Sequence, residues 1–133
     1  MNILRLPCKA LLALGLAIAA AQTADASPQD YQFQVVEPQL RQGESVSVTI
    51  AITDLRTQAL VVDGTIISVL MDMSPDGMAG MRPPVTPVRS STPGYYSFVV
   101  GLKMAGNWRL ALAARLPGEP EVVWREVVVQ VTP

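Results

Sequence analysis

The chain has 133 residues, ten Lys plus Arg against eleven Asp plus Glu, no histidine and one cysteine, and 50% of it is apolar. That is one domain at most, with enough apolar content for a core and no basic surface for nucleic acid. Without histidine there can be no Ser-His-Asp triad, no Cys-His pair, no imidazole general base, and no zinc or blue-copper site that needs imidazole.

At the N-terminus, Arg5 and Lys9 precede an apolar run over residues 10–21, and Ala24-Asp25-Ala26 follows as a small-x-small site. This is the layout of a cleaved export signal over residues 1–26, and the run is shorter than the ~20 residues that a helix needs to span a bilayer. The expectation is a signal helix removed near Ala26, a periplasmic location, and no stable transmembrane segment afterwards. Cys8 lies ahead of the apolar run and would leave with the signal. Loss of Arg5, Lys9 and Asp25 would give residues 27–133 a net charge of −2, with neither thiol nor imidazole.

The rest of the chain reads as short strands. Tyr31, Phe33 and Val35 alternate inward over residues 31–36. Residues 45–53 alternate strictly, with Val46, Val48, Ile50 and Ile52 on one face, which is the pattern of a half-buried strand. Further strands are expected over residues 65–71, 95–100, 108–114 (Trp108, Leu110 and Leu112 inward) and 121–131, with weaker ones over 59–62 and 85–90. Turn chemistry separates them at residues 38–44, Asp63-Gly64, 75–84, Thr92-Pro93-Gly94, Ala105-Gly106-Asn107 and Pro117-Gly118. In the last strand Val122 and Trp124 share one parity while Val127, Val129 and Val131 share the other, and a bulge near Arg125 and Glu126 would reconcile them. Seven to eight strands with turns every eight to twelve residues predict an all-β fold. Its form is an antiparallel immunoglobulin-like β-sandwich over residues 27–133, lacking the Cys-Trp-Cys signature of antibody domains.

One stretch departs from this regularity. Residues 71–81 hold Met71, Met73, Met78 and Met81, while Pro75, Gly77 and Gly80 deny them regular structure. Thioethers are soft, neutral ligands that suit Cu(I) and are not trapped as disulfides in an oxidising compartment. Strand parity carries the 102–106 turn to the same end of the sandwich, which adds Met104 as a fifth sulfur. Methionine equally fills irregular gaps, so the same residues could plug the open end of the core, or form an apolar contact surface for a partner. All three readings fit the spacing.

Other residues carry weaker signals. Trp108 and Trp124 fit packing better than ligand stacking, and Arg109, Arg115 and Arg125 read as a solvated face. Asp54, Asp63, Asp72 and Asp76 fall in turns, where aspartate is common for backbone reasons.

The second half resembles the YtkA-like or FixH-like family of small secreted or anchored bacterial domains. The likeness rests on residues 64–70 leading into Met71 and Met73, on Gly77-Met78 and Gly80-Met81, on Pro93-Gly94-Tyr95-Tyr96, and on Leu102-Lys103-Met104-Ala105-Gly106-Asn107-Trp108. It covers about residues 33–131. The resemblance implies an immunoglobulin-like sandwich without enzymatic activity, associated with heavy-metal efflux systems or, in the FixH branch, with assembly of copper-containing respiratory oxidases. Such a membrane complex is the partner it implies. Carried over, the candidate metal contacts are Met71, Met73, Met78, Met81 and Met104, and Cu(I) is the candidate ion. Family members often have a histidine near the methionine loop, and this sequence has none. The FixH branch also keeps its N-terminal helix as an anchor, whereas the short apolar run here points to cleavage.

Overall fold

The computed structural model describes residues 28–37 and 39–133. The expected signal helix and its cleavage site lie outside them. Nine strands follow a 3-10 turn at Pro28–Asp30: β1 Tyr31–Val35, β2 Gln39–Arg41, β3 Gly43–Asp54, β4 Ala59–Leu60, β5 Thr65–Asp72, β6 Val85–Val88, β7 Tyr95–Leu102, β8 Gly106–Arg115 and β9 Val123–Thr132. One sheet has the order β1-β3-β7-β6, with β4 pairing to β3, and the other has the order β2-β9-β8-β5. This is the strand order of an immunoglobulin-like sandwich, in which the first strand of the chain is divided between the two sheets.

The core lies between the sheets because alternation buries one face of each. Val48, Ile50 and Ile52 of β3, Phe98, Val100 and Leu102 of β7, Trp108, Leu110 and Leu112 of β8, and Val123, Val129 and Val131 of β9 are all buried. No helix among the described residues is long and apolar enough to cross a membrane.

Two expectations need correction. The 38–44 stretch is not only a turn. Leu40 is buried and β2 pairs with β9 in parallel, so the sandwich has a ninth strand and one parallel pair. Nor is there a bulge in β9, whose register with β8 runs unbroken from Gly106↔Val131 to Ala114↔Val123. Val123 is the inward residue at that end, and Trp124 points outward, 68% exposed. The inward slot between Val123 and Val127 falls to Arg125, whose guanidinium carbon stands 5.8 Å from the centroid of the Phe33 ring. A long stem and a cation over an aromatic face let arginine occupy this slot without breaking the strand. Register shifts occur instead in β5, against β8 between Ile66 and Ser68, and in β3, against β7 between Gly43 and Val46.

Candidate functional site

The methionine-rich segment leaves the end of β5 and crosses to β6 in the opposite sheet. Alternation sends Met71 inward, Asp72 to the outer face and Met73 inward again. Both methionines are wholly buried in the core cluster. A 3-10 turn over Ser74–Asp76 follows, and Gly77 closes it with φ 75°, its N–H donating to the Ser74 carbonyl at 2.9 Å. The Met78 N–H then donates to the Met73 carbonyl at 2.9 Å, and the Met81 N–H to the Met78 carbonyl at 3.1 Å. Met78 and Met81 are therefore the two ends of one turn.

The β7–β8 turn lies at the same end, as strand parity had suggested. The Trp108 indole N–H donates to the Met104 carbonyl at 3.1 Å, fixing this turn to the core. Asp76 joins the two loops: its carboxylate accepts from the Asn107 backbone N–H at 2.8 Å and from the Asn107 side-chain amide at 3.1 Å. These two bonds hold its carboxyl below the ordinary value of 3.8, the backbone one being the larger cause. Gly106 permits the approach. Its φ is 140°, and a Cβ there would strike the Asp76 carboxylate and come within 2.8 Å of the Met73 methyl.

The five candidate methionines thus fall into two sets. Met71 and Met73 are core residues at 0% exposure, while Met78, Met81 and Met104 keep 37%, 39% and 40%. Met81 also lines a groove together with Glu44, Arg82, Pro83, Pro84, Gly101 and Lys103, the residue before Met104 in the chain. The donors at this end include neutral thioether sulfurs, a chemistry that fits Cu(I) or Ag(I), beside the carboxylates of Asp76 and Glu44. Among the described residues no three or more His, Cys, Asp or Glu are grouped to hold a metal.

Sequence reasoning missed the charge cluster beneath the loop. Asp72 is fully buried and accepts from Arg109 Nη2 at 2.5 Å and Nε at 3.3 Å, and from the Ser74 backbone N–H at 3.0 Å. Arg82 Nη2 adds a contact at 4.0 Å, and Arg109 Nη1 reaches Glu126 at 3.0 Å. The Arg109 hydrogen bonds, helped by Ser74 and opposed by burial, lower the Asp72 carboxyl to about 2. Outward parity at both Asp72 and Arg109 was the available signal.

Comparison with known proteins gives a family match and several distant structural likenesses. The model of the YtkA-like family matches residues 25–113. No curated protein matches the sequence. The ZirS C-terminal domain is similar at a TM-score of 0.46 and 12% identity, over 100% of this chain and 85% of that one. Domains 4 and 5 of the S-layer protein SbsC are similar at a TM-score of 0.42 and 13% identity, over 77% of this chain and 51% of that one.

Proposed function

The chain belongs to the YtkA-like family, and from that premise we propose that it is an exported, periplasmic, non-enzymatic domain that binds or passes Cu(I) at its methionine end. The service would be metal homeostasis or cuproenzyme assembly, and the FixH-type role at a copper-containing oxidase is the narrower form of the same reading. The observation that carries it is the sorting of the methionines. Two close the core, and three stay accessible on two loops tied together by Asp76. The site is accordingly Met78, Met81 and Met104, with Met71 and Met73 as its floor. Thioethers hold a soft monovalent ion weakly enough to release it, which suits transfer.

Titration of the purified chain with Cu(I) under reducing conditions, against a competing chelator, tests this. Binding should be lost when Met78, Met81 and Met104 are all replaced by Leu, and kept in Met71→Leu. No binding beyond a weak competitor, or binding unchanged in the triple variant, overturns it.

The groove of Met81, Pro83, Pro84 and Gly101 favours a second reading, a metal-free module that docks this end on a membrane efflux or respiratory complex. Apolar contact tolerates Met→Leu and not Met→Asp, so partner capture that survives Met81→Leu and fails in Met81→Asp would favour docking.

A further inference from the structure

Residues 27–133 hold every methionine of the chain except Met1 and no cysteine, since the only one is Cys8. With no thiol ahead of it, thioether sulfur is the side-chain group that a peroxide attacks first in this part of the chain. The fold divides these sulfurs sharply. Met71 and Met73 are sealed in the core, whereas Met78, Met81 and Met104 are exposed.

We propose that Met78, Met81 and Met104 are sites of reversible oxidation to methionine sulfoxide, and that this modification closes the methionine end to Cu(I) while the sandwich stays folded. The closure rests on the metal reading above, and the modification sites do not. The oxidant is hydrogen peroxide. A sulfur lone pair attacks one peroxide oxygen, the O–O bond breaks, and the other oxygen leaves as water, so sulfur is oxidised by two electrons and the peroxide is reduced by two. The return step takes two thiols, which lose two electrons to form a disulfide as the sulfoxide oxygen departs as water, the reaction of methionine sulfoxide reductases.

The structure separates this from damage in two ways. First, the loops are tied by groups that oxidation does not touch. The Met78 N–H bonds to the Met73 carbonyl, the Met81 N–H to the Met78 carbonyl, the Trp108 indole to the Met104 carbonyl, and Asp76 to Asn107. None of these bonds uses sulfur. Second, a sulfoxide oxygen is a strong hydrogen-bond acceptor, and Arg82 and Lys103 line the same groove as Met81 with cationic N–H donors. Met73 is the opposite case. Its methyl meets the Gly106 backbone so closely that a Cβ there would stand 2.8 Å away, and a polar oxygen in so filled a core disrupts packing. Burial keeps peroxide from the two residues whose oxidation the fold could not absorb. At the exposed three, oxidation replaces a soft thioether with a hard oxygen and a poorer sulfur donor, which removes the preference for Cu(I).

The test treats the metal-free full chain with hydrogen peroxide and maps each methionine by peptide mass. The peroxide is then removed, and the oxidised protein is melted and titrated with Cu(I). Met78, Met81 and Met104 should each gain one oxygen at least tenfold faster than Met71 and Met73, which should catch up only in urea. The thermal midpoint should fall by less than about 5 °C. Cu(I) affinity should drop at least tenfold and return when a sulfoxide reductase and a thiol restore the thioethers. Equal oxidation rates at all five residues, or a larger fall in the midpoint, overturn the proposal. So does an oxidised protein that binds Cu(I) as tightly as the parent. A parent that binds no Cu(I) overturns the metal reading and the closure with it, while the oxidation map, recorded without metal, still decides the modification sites.

Discussion

Asp72 Oδ2 lies 2.5 Å from Arg109 Nη2, directly across the β5–β8 register, and Asp72 is wholly buried. A buried carboxylate is costly unless its lone pairs are filled, and here both oxygens are used by Arg109, with Ser74 adding a backbone donor. The pair therefore fixes the point at which the methionine-rich segment leaves the sheet. Ser74, held by Asp72, opens the 3-10 turn whose last residue, Asp76, holds Asn107.

The pH dependence of stability follows from this pair. Asp72 titrates near 3.8 in the unfolded chain and at about 2 in the folded one, so the folded state binds its proton less readily. Its contribution is complete above pH 3.8 and is lost as pH falls toward about 2, a difference of about 2 kcal/mol. Urea denaturation should show this decline in the parent protein. Asp72→Asn should remove that part of the decline and cost about 2 to 3 kcal/mol at neutral pH, because Arg109 then loses its buried counter-charge.

Gly106→Ala tests the junction of the two loops. An alanine at φ 140° is strained, and its Cβ would collide with the Asp76 carboxylate and the Met73 methyl. Destabilisation of about 2 kcal/mol or more is expected. Gly80→Ala is the control, because a Cβ there meets nothing within 4 Å and its φ is not positive. It should fall within about 0.5 kcal/mol of the parent in the same denaturation measurement.

Most of the sandwich was legible because its strands are half-buried and their alternation is written in the residues. Val48, Ile50 and Ile52, or Trp108, Leu110 and Leu112, declare an inward face without help from the rest of the chain. What failed was whatever needs a partner to be seen. β2 is three residues long with one buried side chain, and only the neighbouring β9 makes it a strand. The bulge expected in β9 is absent because hydrophobicity alone puts Trp124 inside and Arg125 outside, whereas the unbroken register turns Trp124 out and Arg125 in. Phe33, some ninety residues earlier, is what makes the arginine acceptable there. The methionines show the same limit. Spacing cannot say that Met71 and Met73 continue strand parity into the core while Met78 and Met81 belong to a turn that stays exposed.

That sorting predicts unequal costs for one substitution. Met73→Ala opens a cavity against Gly106 and the core and should cost about 2 to 4 kcal/mol. Met81→Ala removes a half-exposed side chain from a groove wall and should stay within about 0.5 kcal/mol. Thermal unfolding of the two variants measures the difference directly. Equal, small costs would mean that Met73 is not part of the packed core.

A hydroxyl tie at the opposite end gives an independent check on the sandwich. The Tyr96 hydroxyl donates to the Val61 carbonyl at 2.7 Å and accepts from the Gly64 N–H at 3.0 Å, spanning the sheets where β4 gives way to β5. Tyr96→Phe leaves both backbone groups without this partner and should cost about 1 to 2 kcal/mol. Burial also raises the Tyr96 hydroxyl above its ordinary value of 10.0. The unfolded chain ionises first, so the stability supplied by this group falls as pH climbs past 10.0, and Tyr96→Phe should flatten that part of the alkaline decline.

Asp76→Ala separates a site from a collection of exposed sulfurs. The carboxylate is the tie between the loop bearing Met78 and Met81 and the strand that follows Met104, and its lowered pKa keeps it ionised at mildly acidic pH. Removing it touches no thioether. If the three sulfurs hold one ion together, the loss of loop alignment should weaken Cu(I) affinity at least tenfold, because each ligand must then be ordered by the ion itself. Hydrogen exchange at the Asn107 amide, which loses its acceptor, should accelerate in the same variant and verify that the tie is broken. Faster exchange with unchanged Cu(I) affinity would show that the methionines act singly.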